Sequence, residues 1–175
     1  MKTNKDMGIT AVTVHASSLW RGQGPWMEAM LHSAGEIVVV LGEVAVIMKA
    51  LGYSKQDIWA VQLALEESAV NGLRHGNRGD PMKSLRVRCI VGPDDVVAEV
   101  EDQGPGFNPA LVPDPRLPEN RERSSGRGLL LVRHFMTWVG FSERGNKVTL
   151  FKRRSPDKPS DSQISEPDRA RVAPR

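Results

Sequence analysis

A carboxylate and a carboxamide stand four residues apart, at Glu67 and Asn71, in the stretch ALEESAVNGLRHGN. Helical residues at this spacing lie on one face, one turn from each other. The carboxylate can then accept a proton, and the amide oxygen can bind a hard cation such as Mg²⁺. An exposed polar helix face would give the same pattern, so the pair alone does not assign a site. Glu66 is a rival base, but it points to another part of the helix.

Two glycine-containing stretches offer complementary chemistry. In VEDQGPGF, Asp102 ends a predicted strand, and a carboxylate there can accept a hydrogen bond from an adenine amine. Gly104 and Gly106 let the backbone turn sharply or approach a ligand closely. In SSGRGLLLVRHF, glycines open a helix whose free N–H groups and dipole favour phosphate, and Arg127 could add charge-assisted contacts. Each stretch alone is weak, since many turns and helix starts look the same, and no Walker A loop is present.

Periodicity and turn residues predict the elements that must position these groups. Ser33 with Glu36 predicts a capped helix to about residue 51, and Ser54 caps a second helix to about residue 74. A third helix is predicted over residues 128–138. Strands are predicted over residues 26–32, 84–91, 96–102, 139–143 and 147–153. This order predicts an α/β (α+β) two-layer sandwich, with a mostly antiparallel sheet that carries helices on one face.

Charge and composition narrow the classes of protein. Residues 1–151 hold 17 basic and 17 acidic side chains, so the excess positive charge lies in the last 24 residues. The net positive charge of the chain is therefore poor support for direct nucleic-acid binding. The most apolar stretch, residues 37–51, is too short to span a bilayer, and the lone Cys89 fits a reducing compartment, so we expect a cytoplasmic protein. We predict an N-terminal extension over residues 1–26, an ATP-binding kinase domain over 27–152 and a disordered tail over 153–175.

Taken together and in this order, the three stretches resemble the nucleotide-binding motifs of the GHKL ATPases, which have the Bergerat fold. The closer resemblance is to the serine kinase anti-sigma factors of the partner-switching type. It is carried by E-x-x-x-N-x-x-x-H-G from Glu67, DQGPGF from Asp102, PDPRLPEN from Pro113, GRGLLLVRHFM from Gly126 and GNKVTLFK from Gly145. It covers roughly residues 30–152. Residues 113–120 match the family's ATP lid, which we expect to order when nucleotide binds.

The resemblance implies roles for particular residues. Glu67 is similar to the general base that accepts the proton of a serine hydroxyl, and Asn71 to the Mg²⁺ ligand. Asp102 is similar to the carboxylate that reads adenine. The residues implied to bind ATP and Mg²⁺ are Asn71, His75, Asp102, Gly104, Gly106, Phe107, Gly126, Arg127, Gly128 and Leu129.

The resemblance also implies a function and partners. We expect an ATP-dependent serine/threonine-protein kinase that acts as an anti-sigma factor. It would phosphorylate a STAS-type anti-anti-sigma protein, sequester an RNA polymerase sigma factor and form a homodimer. A non-catalytic nucleotide-binding regulator of the same partners is the alternative. The detached ATP-binding domain of a histidine kinase is a third reading, but His15 and His32 lack the helical context of a phosphoacceptor.

Overall fold

The computed structural model describes residues 26–112 and 127–156. The helices are α1 (Ala34–Ala50), α2 (Lys55–Asn71) and α3 (Arg127–Phe135), with a π-helical turn over Gly72–Gly76 and a 3₁₀ turn over Pro109–Leu111. The strands are β1 (Met27–Leu31), β2 (Leu85–Val91), β3 (Asp95–Glu101), β4 (Trp138–Phe141) and β5 (Lys147–Arg153).

The strands form one five-stranded sheet in the order β1-β2-β3-β5-β4, and all neighbouring strands are antiparallel. Alternate residues of the sheet face the helices and build the core together with α1 and α2. Buried examples are Val87 and Cys89 of β2, Val100 of β3 and Leu150 of β5. This arrangement confirms the predicted two-layer sandwich.

Local sequence signals determine where both long helices begin. At the start of α1, the Glu36 carboxylate accepts hydrogen bonds from the N–H groups of Ser33 and His32, at 2.9 and 2.7 Å. At the start of α2, the Ser54 hydroxyl accepts the N–H of Asp57 at 3.0 Å. Both predicted caps are therefore confirmed: Glu36 completes a capping box with Ser33 just before α1, and Ser54 satisfies a donor that the first turn of α2 leaves without a partner.

Two predicted helix ends were wrong. The second helix does not continue as a regular α-helix to residue 74, because it widens into the π-helical turn from Gly72. The third helix stops at Phe135 and not at Trp138. The N–H of Thr137 already donates to the carbonyl of Phe151 at 2.9 Å, and Trp138 pairs with Phe151 in the sheet. Pairing with β5 thus takes these residues out of the helix, and the local apolar pattern does not reveal that pairing.

Two buried groups stabilise the end of the domain away from the π-helical turn. Asp57, in the first turn of α2, is 1% exposed and accepts hydrogen bonds from Ser54 and Ser155, while the Lys152 ammonium lies 3.3 Å away. Burial alone would raise the pKa of Asp57, but these donors outweigh it and lower the pKa below its ordinary value. The Tyr53 hydroxyl donates to the carbonyl of Gly92 at 2.8 Å. These contacts join the start of α2 to the β2–β3 turn and the end of β5.

Candidate nucleotide-binding site

A cavity of about 380 Å³ lies between α2 with its π-helical turn, the sheet and α3. This volume is within the range of small-molecule sites, which is about 300–1,000 Å³. Its walls combine apolar side chains, such as Val100, Val132 and Val148, with a few polar groups. A site of this composition can enclose a flat, largely apolar group and bind its polar edge at fixed points.

One end of the cavity holds the carboxylate and the carboxamide of α2. Glu67 and Asn71 both line it, while Glu66 is exposed and lies outside the lining. Gly128, in the first turn of α3, lies against them: a Cβ there would contact Glu67 Oε2 and lie 3.5 Å from Asn71 Nδ2. The structure therefore brings the candidate base, the candidate cation ligand and the N-terminal turn of α3 together. A helix N-terminus beside a carboxamide is a favourable place for a phosphate group with its cation.

The other end of the cavity is formed around Asp102, just after β3. The N–H of Gly104 donates to Asp102 Oδ1 at 2.7 Å, which orients the carboxylate. Burial raises the pKa of Asp102 above its ordinary value, and the Gly104 hydrogen bond and the Arg144 guanidinium only partly offset this effect. A Cβ at Gly76 would collide with the Asp102 carboxyl group, so the helical turn and this carboxylate are in close contact.

The helix sets the separation between these two ends. Asp102 lies against both Gly72 and Gly76, which follow Glu67 by five and nine residues along α2 and its π-helical turn. At a rise of about 1.5 Å per residue these positions lie roughly 8 to 14 Å from Glu67 along the axis. The cavity is therefore an elongated site with one carboxylate at each end.

The turn between β4 and β5 supports the Asp102 loop from the opposite side to the helix. Asn146 exchanges two hydrogen bonds of 2.9 Å with Asp102: its carbonyl accepts the Asp102 N–H, and its Nδ2 donates to the Asp102 carbonyl. Arg144 Nη2 donates to the carbonyl of Gly104 at 2.9 Å. Gly106 and Gly145 have φ values of 80° and 75° and lie against backbone atoms of the opposing segment. Any Cβ at either position would prevent this contact, which explains why glycine is required there.

The cavity contains most of the residues that the sequence singled out. The lining includes Glu67, Asn71, His75, Asp102, Gly106, Phe107, Gly128 and Leu129. Gly104 lies behind Asp102 and contacts the carbonyl of Gly76, so it supports the site without lining it. Arg127 is exposed at the start of α3 and is not in the lining. Gly126 and the predicted lid lie outside the described residues.

The cavity also has lining residues that the sequence analysis did not select. Phe141 of β4 makes an edge-to-face contact with Phe107, with ring centroids 5.5 Å apart, and both rings line the cavity. The remaining members are Ser68, Gly72, Gly76, Val100, Pro105, Val112, Val132, Gly145, Asn146 and Val148. Phe141 has no local signal that separates it from a core residue. Other lining residues belong to stretches that carried the resemblance: Gly76, Pro105, Val132, Gly145, Asn146 and Val148.

The described residues contain neither a preformed metal cluster nor a membrane-spanning helix. Within residues 26–112 and 127–156, no group of three or more His, Cys, Asp or Glu side chains is placed to hold a metal ion. A cation such as Mg²⁺ usually keeps water and phosphate oxygens as ligands and uses only one or two protein groups, so Asn71 fits such a partial site. None of the described helices is both long and apolar enough to cross a bilayer.

Comparison with known proteins agrees with this geometry. Residues 31–152, more than half of the chain, match the family described as histidine kinase-like ATPase domain. The chain is also similar to the anti-sigma F factor of Oceanobacillus iheyensis, with 24% identity over 125 residues that cover 66% of this chain and 82% of that protein. The match of the family spans every element from the end of β1 to β5, including the whole cavity. The chain therefore belongs to the histidine kinase-like ATPase domain family, and its domain is of the GHKL, ATP-binding type.

Proposed function

We propose that this chain is an ATP-dependent protein serine/threonine kinase that acts as an anti-sigma factor. In this proposal it phosphorylates a STAS-type anti-anti-sigma protein and sequesters a sigma factor, in the cytoplasm and as a homodimer. The observation that carries the proposal is the position of Glu67 and Asn71 beside the first turn of α3, at the far end of the cavity from Asp102. The similarity to an anti-sigma F factor supports the choice of partners.

The site residues would divide the work as follows. Asp102 accepts a hydrogen bond from the adenine amine, while Phe107 and Phe141 enclose the base. Asn71 supplies an amide oxygen to Mg²⁺, which neutralises charge on the phosphates. The first turn of α3 presents N–H groups toward the same phosphates, and Arg127, exposed beside the cavity, adds positive charge nearby.

Glu67 would act on the acceptor. The serine hydroxyl oxygen forms a bond to the γ-phosphorus as the bond from that phosphorus to the leaving ADP oxygen breaks, and the hydroxyl proton passes to the Glu67 carboxylate. Such transfer depends mainly on positioning and charge neutralisation, so a short set of residues is sufficient. Glu66 cannot replace Glu67 in this role, because it is exposed and lies outside the cavity.

Exposed aromatic side chains support the proposal of protein partners. Trp59 of α2 is 50% exposed and makes an edge-to-face contact with Phe135 of α3, at 4.8 Å between centroids. Trp138 on the sheet is 56% exposed. Large exposed aromatic residues are enriched where proteins associate.

The decisive experiment compares Glu67→Gln with the matched neighbour Glu66→Gln. Purified proteins are incubated with labelled ATP, Mg²⁺ and the cognate STAS protein, and phosphotransfer rates are measured beside ATP affinity by calorimetry. We expect Glu67→Gln to slow transfer by about 10²- to 10⁴-fold while it still binds ATP, because a general base contributes that much. Glu66→Gln should transfer at the wild-type rate.

The other outcomes separate the alternatives. If Glu67→Gln transfers phosphate as fast as wild type, the assignment of the base is wrong. If the wild-type protein binds Mg-ATP but transfers no phosphate to its STAS partner, the chain is the non-catalytic nucleotide-binding regulator.

A further inference from the structure

Asn77 is a buried polar residue that lies outside the cavity, directly behind it. It is 1% exposed and belongs to none of the groups assigned above. Its side chain is hydrogen-bonded on both sides: Oδ1 accepts the N–H of Gln103 at 2.8 Å, and Nδ2 donates to the carbonyl of Ser84 at 3.1 Å. A buried carboxamide satisfied in this way is held in one orientation, because losing either partner would leave a polar atom unpaired.

The partners of Asn77 belong to three separate segments. Its own backbone N–H donates to the carbonyl of Gly72 at 2.7 Å and closes the π-helical turn that follows α2. Ser84 stands at the start of β2, and Gln103 directly follows Asp102. Ser84 and Gln103 also contact each other, since the N–H of Ser84 donates to Gln103 Oε1 at 3.0 Å. We call this group of Asn77, Ser84 and Gln103 the junction.

This junction fixes the two ends of the cavity relative to each other. The face of α2 that carries Glu67 and Asn71 continues into the turn that Asn77 closes, and Asn77 then holds the residue after Asp102. Asn146 holds Asp102 from the opposite side through its own two hydrogen bonds. Removal of Asn77 would therefore leave the phosphate end intact and free the Asp102 loop on its helix-facing side only.

We propose that Asn77 is a positioning residue that makes nucleotide binding selective for adenine, by holding the Asp102 loop in register with the end of α2. The inference rests on the proposed binding of ATP in this cavity. It concerns the recognition of the base and not of the phosphates, because the hydrogen bonds of Asn77 go to Gly72, Ser84 and Gln103 and not to Glu67, Asn71 or α3.

The test compares Asn77→Ala with Tyr53→Phe in the full chain. Tyr53→Phe removes a buried hydrogen bond from a side chain to a backbone carbonyl, at Gly92, far from the cavity lining. Affinities for Mg-ATP, Mg-GTP and Mg-tripolyphosphate are measured for each protein by calorimetry. We expect Asn77→Ala to weaken ATP binding at least ten-fold and to reduce the preference for ATP over GTP. Its affinity for tripolyphosphate, which has no base, should equal that of wild type, and Tyr53→Phe should change none of the three.

Three results would decide against the inference or its premise. Equal weakening of ATP and tripolyphosphate by Asn77→Ala would mean that Asn77 has only a general structural role. An unchanged preference for ATP over GTP would overturn the inference as well. A wild-type protein that binds no ATP would instead overturn the proposed function.

A second variant covers the case in which Asn77→Ala does not fold. Asn77→Ser keeps a small polar side chain in the buried position, but it is too short to hold both the Gln103 N–H and the Ser84 carbonyl. A loss of ATP affinity without a loss of tripolyphosphate affinity would support the inference. Unchanged binding of both ligands by Asn77→Ser would overturn it.

Discussion

Replacement of Gly76 by alanine tests the geometry of the base-binding end with a change of one methyl group. Gly76 lies in the helical turn after α2, where alanine is intrinsically more favourable than glycine by about 1 kcal/mol. The structure opposes this gain, because the new Cβ would collide with all three atoms of the Asp102 carboxyl group. Overpacking of this kind costs about 1–3 kcal/mol. The net effect on the free energy of unfolding is therefore a loss of up to about 2 kcal/mol.

Gly42→Ala is the matched control for this change. Gly42 lies inside α1, and a Cβ built on it would meet no atom within 4 Å apart from its chain neighbours and the backbone of its own helix. The same substitution should stabilise the protein there by about 0.5–1 kcal/mol. The free energy of unfolding of both variants is measured by urea denaturation. Because both gain the same helix propensity, the difference between them gives the cost of the collision with Asp102.

Binding of ATP supplies the second measurement for Gly76→Ala. The displaced carboxylate would lose its hydrogen bond to the base, and a hydrogen bond to a charged group contributes about 1.5–3 kcal/mol. The Kd for Mg-ATP should then rise by about 10- to 100-fold, as measured by calorimetry on folded protein. Gly42→Ala should bind ATP as wild type does. If Gly76→Ala is stabilised as much as Gly42→Ala and keeps its ATP affinity, the close contact with Asp102 is refuted.

Two further predictions concern buried titratable groups. Asp57 has a pKa below its ordinary value, so its contribution to stability is complete above the unfolded pKa of about 3.9 and is lost as the pH falls through the folded value. Asp57→Asn should lower the free energy of unfolding by about 3 kcal/mol at pH 7. In denaturation curves the difference from wild type should shrink below pH 4. A constant difference from pH 7 to pH 3 would contradict the role assigned to Asp57. Burial raises the pKa of the Cys89 thiol to about 12, so it should resist alkylation by iodoacetamide in the native protein at pH 8 and react after unfolding. Rapid native labelling, followed by mass spectrometry, would show that the core opens at Cys89.

Local sequence determined a large part of the fold. Ser33 and Ser54 mark helix starts because their caps act within three residues, so neighbouring residues are sufficient to define them. Alternation of apolar residues in β2 and β3, with a turn between them, likewise defines a hairpin. The pair Glu67 and Asn71 could be placed on one helix face for the same reason, since the helical repeat alone fixes their spacing.

Family resemblance added what spacing alone could not decide. The spacing of Glu67 and Asn71 left open whether the pair belonged to a site or to a solvated helix face. Three weak stretches became informative only when their order was compared with a known ATPase pattern. The match of residues 31–152 to the ATPase family supports that use of order.

The tertiary structure decided the rest of the site. Asn77 contacts Gln103 across 26 residues, and Asn146 contacts Asp102 across 44 residues. Neither residue shows a periodicity or spacing that predicts its partner, because each contact depends on which strands become neighbours, although Asn146 lies in a stretch that carried the family resemblance. The pairing of β5 between β3 and β4 also ended α3 early and brought Phe141 to the cavity. Local residue patterns are thus sufficient to predict the helices, the hairpin and the chemistry of single groups, whereas long-range strand pairing establishes which groups share one cavity.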